Sequence, residues 1–202
     1  MTTTDPAQPS PALLDLTAVR AASSAVMGMA LFVASEAVFF GAFFGIYASA
    51  YTQADVWPPA GVITPSLGLP TVATLVLLAS GVSMALAQRG ARRGNSLRHS
   101  LRWLSVTVAC AVGFLALVIA GYPGLHFGVG EGIYQSLFYT ITAIALAHVA
   151  GGIVLLFLVL ARARAGELAL HREPLQAAGI YWYFVVAVGA IVYLLLYVAV
   201  AG

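Results

Sequence analysis

The protein has 202 residues, of which 61% are hydrophobic and only 8% are Asp, Glu, Lys or Arg. Soluble domains carry about 25% charged residues, so a chain of this size could not cover a water-facing surface with so few charges. A backbone in lipid must satisfy its own hydrogen bonds, which leaves helices or a closed barrel. The apolar runs are longer than barrel strands and do not alternate, so the sequence predicts an all-α, polytopic membrane helix bundle.

Two function classes are excluded at this stage. The single cysteine, Cys110, rules out a disulfide framework or a paired-cysteine metal site. The basic residues form no positive stripe interleaved with aromatic side chains, so a nucleic-acid partner is not expected.

The chain begins with a polar, proline-rich segment, residues 1–22, which is predicted to be a flexible cytoplasmic tail. Residues 23–202 are predicted to form one domain of five transmembrane helices, each near or above the roughly 20 residues that cross a bilayer. The predicted helices are 23–51, 70–87, 103–121, 134–161 and 177–200, separated by a Pro/Gly-rich loop, an arginine-rich loop (88–102), a glycine-rich loop (122–132) and a polar loop (162–174).

The arginines predict the orientation. All nine basic residues are Arg, and they lie before the first helix, between the second and third, and between the fourth and fifth: Arg20, Arg89, Arg92, Arg93, Arg98, Arg102, Arg162, Arg164 and Arg172. These three places share one side of a five-helix protein. The positive-inside rule therefore predicts a cytoplasmic N-terminus and an external C-terminus.

One acidic residue, Glu36, lies deep within a predicted helix. An ionised carboxylate at mid-membrane costs roughly 2.5–3.5 kcal/mol on insertion scales, so such a residue normally faces protein or water. Phe32, Phe39, Phe40 and Phe43 predict a dry, aromatic surrounding. Two interpretations stay open: a carboxyl that handles protons near an uptake route, and a protonated Glu that donates one hydrogen bond to a neighbouring helix.

Two further features of the helices are expected to be structural. His148 in the fourth helix is expected to be a packed, hydrogen-bonded residue, because a metal site would need more ligands at that depth. Ala37, Gly41 and Gly45 form a stripe of small residues in the first helix. Such stripes allow close helix contact, and packing within the bundle is preferred here over a dedicated dimer face.

The polar residues alone favour an accessory bundle over an enzyme or transporter. The sequence contains no phosphate-binding or dinucleotide-binding glycine motif. It also contains no pair of broken, polar-lined helices of the kind that transporters use. A small proton-coupled transporter or channel that uses Glu36 remains an alternative of another class.

The order of several short motifs resembles the haem-copper oxidase (cytochrome c oxidase) subunit III family, in its five-helix bacterial form. The similar segments run through nearly the whole chain after the tail: Ser35-Glu36 with Phe39-Phe40, Tyr47, Trp57-Pro58-Pro59, Gln88-Arg89-Gly90, Gly121-Tyr122, His126, Phe138-Tyr139, Thr142, His148-Val149, Gly151-Gly152, Tyr181-Trp182 and Phe184-Val185. Among these, Tyr139, Thr142, His148 and Trp182 are family-matching polar or packing positions.

The sequence also departs from the family pattern at four places. Ala145 and Tyr183 stand where the family usually has His, Val186 where it has Asp, and Pro123 where it often has Glu. The interior is therefore expected to keep only Glu36, Thr142 and His148 as polar groups, out of the family's fuller set. These departures favour, as an alternative, a divergent branch such as the subunit III-like accessory protein of nitric oxide reductases.

The resemblance implies an accessory, metal-free subunit III of a bacterial terminal oxidase that uses cytochrome c or quinol. The subunit would support proton uptake, lipid binding and stability of the catalytic subunit in aerobic respiratory electron transport. No catalytic residue, metal or cofactor is expected in this chain, and haem and copper would belong to the catalytic subunit. The implied partners are subunit I, subunit II, a small subunit IV and phospholipids, in the bacterial inner membrane.

Overall fold

A computed structural model describes residues 11–93, 97–166 and 173–200, with side chains from residue 24 onward. The described residues form helices and contain no strand, so the predicted all-α fold is confirmed. The five helices are α1 (Pro11–Gln53), α2 (Gly68–Arg92), α3 (Leu97–Gly121), α4 (Ile133–Arg164) and α5 (Glu173–Tyr193). A short 3-10 turn, Tyr122–Gly124, follows α3, and a π-helical turn, Leu194–Val198, continues α5.

All five helices are long and apolar enough to cross a membrane. Consecutive helices run in opposite directions, so the arginines at the ends of α2 and α4 lie at the same end of the bundle. We name this the arginine end. The opposite end, where α2 and α4 begin, is the distal end. The arginines of α2 and α4 thus lie at one end, as predicted, whereas Arg172 lies outside the described residues. The cytoplasmic location of this end stays a prediction.

The predicted arginine-rich loop, 88–102, is wrong in extent. The helix α2 continues to Arg92 and α3 begins at Leu97, and α4 likewise continues to Arg164. Gln, Ala and Arg are good helix formers, and cations at a helix C-terminus interact favourably with the helix dipole. Long arginine side chains also reach the lipid headgroups from the last turn, so the helices need not end where the apolar run ends.

The first helix begins at Pro11, inside the segment predicted to be a tail. Proline suits the first position of a helix because its missing N–H would have no partner there. Residues 1–10 lie outside the described residues, so the flexible, cytoplasmic tail remains a prediction for them.

The helix α5 is the central element of the bundle, because it packs against α1, α2 and α4. The helices α2 and α3 pair along their length, and α3 also contacts α4. A large core around Leu77, Leu156 and Trp182 lies among α2 to α5. A second core around Phe40 and Tyr134 lies towards the distal end.

The helix α1 lies at the edge of the bundle. Only 6% of its most apolar stretch is buried, against 28–39% in the other four helices. Ala37, Gly41 and Gly45 are exposed, and a Cβ atom added at either glycine would meet nothing within 4 Å. The prediction that this stripe packs within the bundle is therefore wrong. Its small residues follow one face of α1, and that face points away from α4 and α5.

Candidate functional site: a carboxyl–imidazole pair between α1 and α4

The fold brings together the two ionisable residues that the sequence singles out within helices. Glu36 of α1 and His148 of α4 meet with 2.9 Å between Oε2 and Nε2. Their side chains are 21% and 17% exposed, so the pair lies near the outer surface of the bundle without being open to it. The sequence predicted a hydrogen bond for His148 and, in one interpretation, a hydrogen bond from Glu36 to a neighbouring helix. The structure shows that these two residues are each other's partner.

The backbone determines how this pair can hold protons. The other ring nitrogen, Nδ1 of His148, lies 2.8 Å from the carbonyl oxygen of Ile144, one turn earlier in α4. A carbonyl oxygen only accepts, so Nδ1 carries a hydrogen. In the neutral ring Nε2 is then an acceptor, and Glu36 must be protonated to donate to it. Otherwise an imidazolium donates to a carboxylate, and in either state the two groups share a single proton.

The aromatic surrounding is one-sided. Phe40 is 1% exposed, and its ring centroid lies 4.9 Å from that of His148 in an edge-on contact. Phe32 and Phe39, in contrast, are 46% and 44% exposed. The prediction of an aromatic wall around Glu36 thus holds for Phe40. Phe32, although half exposed, stacks on the ring of Tyr181 in α5 with 6.1 Å between the ring centroids. The prediction of a dry surrounding fails on this side, because Phe32 and Phe39 both keep a large exposed fraction.

The helix α5 supports the pair from behind His148. The hydroxyl of Tyr181 donates to the backbone carbonyl of His148 at 3.0 Å. The next residue, Trp182, is fully buried, and its indole N–H donates to the hydroxyl oxygen of Ser80 in α2 at 3.0 Å. A Cβ atom at Gly152 would come within 2.8 Å of the Trp182 ring, so α4 approaches α5 closely at this glycine.

The family-matching residues Tyr139 and Thr142 lie towards the distal end, away from Glu36. Thr142 accepts a hydrogen bond from the hydroxyl of Tyr122 at 2.9 Å and donates to the carbonyl of Phe138 at 2.7 Å. Tyr139 donates to the carbonyl of Phe127 at 2.9 Å. Both residues therefore attach the chain between α3 and α4 to the start of α4.

The bundle interior is more polar than the sequence predicted, which corrects the expectation that only Glu36, Thr142 and His148 remain. Ser83 and Thr107 join α2 to α3 through a hydrogen bond of 2.8 Å between their buried hydroxyls. Ser and Thr at helix spacing are common in membrane helices, so spacing alone gave no reason to single them out.

A second group that the sequence did not reveal lies near the arginine end. Tyr183, which stands where the family has His, donates to the side-chain oxygen of Gln88 at 2.9 Å. The side-chain amide of Gln88 donates in turn to the carbonyl of Leu175 at 3.0 Å. The substitution thus keeps a polar link between α2 and α5. The sequence feature that could have indicated this link is Gln88, a polar residue that follows an apolar run and continues the helix α2.

The described residues contain no group of three or more His, Cys, Asp or Glu side chains that could hold a metal ion. Structural zinc sites use four such ligands, and catalytic ones three and a water. His171, one of the four histidines, lies outside the described residues. What the pair of Glu36 and His148 can do chemically is to hold one proton and exchange it.

The fold and the pair together define a class of protein: a membrane helix bundle whose polar residues join helices to one another. Comparison with known sequences is more specific. The family model described as cytochrome c oxidase subunit III matches residues 16–201. The chain is 36% identical over 178 residues to cytochrome c oxidase subunit 3 of Pylaiella littoralis, covering 85% of this chain and 65% of that one. It is 34% identical over 180 residues to the protein of the same name from Felis catus, covering 86% and 67%.

The chain therefore belongs to the cytochrome c oxidase subunit III family, as its resemblance indicated. It spans about two thirds of the length of the curated relatives that it matches.

Proposed function

We propose that the protein is the accessory third subunit of a bacterial terminal oxidase that takes electrons from cytochrome c or quinol. It supports proton uptake by the catalytic subunit, binds lipid and stabilises the complex. Its partners are subunit I, which holds haem and copper, subunit II and a small subunit IV. The protein lies in the bacterial inner membrane with its N-terminus in the cytoplasm, and it carries no redox centre of its own.

The observation that carries the proton-handling part of this proposal is the 2.9 Å contact between the carboxyl of Glu36 and the imidazole of His148. A purely structural link between α1 and α4 needs only a donor and an acceptor, as in the bond from Trp182 to Ser80. A carboxyl facing an imidazole adds a group that exchanges protons, and such groups at membrane depth commonly mark proton relays. The partial exposure of both side chains leaves them within reach of a neighbouring subunit or its water.

The test is the oxidase complex with Glu36→Gln. The amide keeps the shape and can still donate to Nε2 of His148, but it carries no exchangeable acidic proton. We expect normal assembly and turnover lowered several-fold, most strongly towards about pH 9, where protons are scarce. Glu131→Gln is the matched control, because Glu131 is exposed in the loop before α4. Turnover of Glu36→Gln equal to that of the wild type from about pH 6 to about pH 9 would refute the proton-handling role.

A second candidate, an accessory protein of a nitric oxide reductase, is favoured by the residues at Ala145, Tyr183 and Val186. In the structure Val186 packs against Gly81, so this position is apolar rather than part of a polar network. The visible spectrum of the complex purified with this chain distinguishes the two candidates. Haem a absorbance supports the oxidase, and haem b accompanied by non-haem iron supports the reductase.

A further inference from the structure

Tyr181 of α5 contacts both of the helices that carry the candidate site. Its ring stacks on Phe32 of α1, with 6.1 Å between the ring centroids and an angle of 23° between the ring planes. Its hydroxyl donates a hydrogen bond to the backbone carbonyl of His148 in α4 at 3.0 Å. Because Phe32 precedes Glu36 by one helical turn, both side chains lie on the same face of α1. Tyr181 therefore touches α1 one turn from the carboxyl and α4 at the residue that bears the imidazole.

The distance between Glu36 and His148 depends on α5. The helix α1 packs mainly against α5 and has few contacts with α4, whereas α4 packs along α5. The 2.9 Å contact between the two side chains therefore requires α5 to hold α1 and α4 at the right separation. A hydrogen bond weakens steeply once its donor and acceptor are misaligned. A residue of α5 that touches both neighbouring helices is well placed to set this geometry.

The ring of Tyr181 has little freedom to move. It is 8% exposed, and α4 passes close to it at Gly152, where an added Cβ atom would lie 3.1 Å from ring carbon Cε1. Phe32 covers the same ring from α1. Because protein interiors are close-packed, a change at such a ring is felt by the neighbours that enclose it. A change at Tyr181 therefore reaches both α1 and α4.

The hydrogen bond from Tyr181 is not needed to satisfy the backbone. His148 and Gly152 both lie within α4, so the carbonyl of His148 already accepts the N–H of Gly152 in the regular helix. The hydroxyl is a second donor to a carbonyl oxygen that has two lone pairs. Loss of this hydroxyl leaves no backbone group unpaired, so its contribution is to fix His148 relative to α5.

We propose that Tyr181 is a positioning residue for proton exchange at this site, because it holds the carboxyl of Glu36 against the imidazole of His148. The ring acts on α1 through Phe32, and the hydroxyl acts on α4 through the carbonyl of His148. This inference rests on the proton-handling part of the proposed function. It adds a residue that acts through the pair and does not itself carry the exchanged proton.

Infrared spectroscopy of the purified oxidase complex tests the positioning independently of turnover. The absorption band of the Glu36 carboxyl is identified by its loss in Glu36→Gln. We expect this band to shift in Tyr181→Phe, which removes only the hydroxyl, and in Phe32→Ala, which removes the stacked ring. A link that only stabilises the fold would leave the band in place. An unmoved band in either Tyr181→Phe or Phe32→Ala overturns the proposal.

Two matched controls make the same chemical changes away from the pair. Tyr51→Phe removes a hydroxyl from a tyrosine that is 50% exposed near the distal end. Phe157→Ala removes a ring that is 51% exposed, close to the 46% of Phe32, and lies more than two turns along α4 from His148. Neither control should move the carboxyl band. A shift as large as that of Tyr181→Phe in either control would also overturn the proposal.

A double variant tests whether Tyr181 acts through Glu36. Tyr181→Phe should lower turnover about two- to tenfold, the range that one hydrogen bond gives. In the Glu36→Gln background the same substitution should cause no further loss, because residues that act as a unit are not additive. A further loss of the same size would overturn the proposal. Wild-type turnover of Glu36→Gln alone would instead refute the proton-handling role, and the infrared band would still decide whether Tyr181 positions the pair.

Discussion

Replacing Gly152 by alanine is expected to destabilise the bundle, although alanine is the better helix former. The new Cβ would lie 2.8 Å and 3.0 Å from two carbons of the Trp182 ring and 3.1 Å from the ring of Tyr181. Trp182 is fully buried and held by its hydrogen bond to Ser80, so its ring has no room to swing aside. Adding a methyl group to a well-packed core typically costs about 1–3 kcal/mol.

The neighbouring Gly151 offers the matched control. A Cβ there meets only the hydroxyl of Tyr181, at 3.5 Å, which is an ordinary contact. Within a helix, alanine is more stabilising than glycine by about 0.5–1 kcal/mol, and both variants gain this amount. We therefore expect Gly151→Ala to stabilise the protein by about 0.5–1 kcal/mol and Gly152→Ala to be about 1–3 kcal/mol less stable than Gly151→Ala.

The measurement is the free energy of unfolding in mixed micelles, titrated with a denaturing detergent and followed by tryptophan fluorescence. Combining Gly152→Ala with Trp182→Phe removes part of the ring, so the double variant should recover some of the loss, as expected for residues in direct contact. Equal stability of Gly151→Ala and Gly152→Ala would refute the reasoning, because the close approach of α4 and α5 would then impose no constraint.

Two further predictions concern hydrogen bonds between helices, measured by the same unfolding titration. Glu36→Gln should change stability by less than about 1 kcal/mol, whereas Glu36→Leu should cost about 1–3 kcal/mol because His148 loses its partner; equal costs for the two would contradict the shared hydrogen bond. Ser80→Ala should cost about 1–3 kcal/mol because the indole N–H of Trp182 is left unpaired. The exposed Ser35→Ala, which loses only a bond within its own helix, should stay within about 0.5 kcal/mol, and a Ser80→Ala as mild as this would contradict the argument.

Helix number and class followed from the sequence because a run of apolar residues is a local property that each segment carries by itself. Helix ends did not follow, because 88–92 and 162–164 are polar and helical at once. The stripe of small residues in α1 indicates one face of the helix but not what that face contacts. Gly41 and Gly45 are therefore predicted to pack within the bundle, whereas the structure places them on its exposed side.

The sequence predicts both residues of the candidate site, but it does not predict that they contact each other. Glu36 and His148 each stand out as ionisable groups in an apolar helix. Their meeting depends on how α1 and α4 pack, which no local pattern encodes.

The separation of Glu36 and His148 along the chain has a consequence for biogenesis. The two residues are 112 positions apart, and most contacts of α1 are with α5, which is made later than α4. At about 5–20 residues per second, α1 waits roughly 6–20 seconds for the histidine that pairs with its carboxyl. During that interval α1 holds a carboxyl without its partner. A ribosome stalled before α4 would leave the carboxyl of Glu36 in that state.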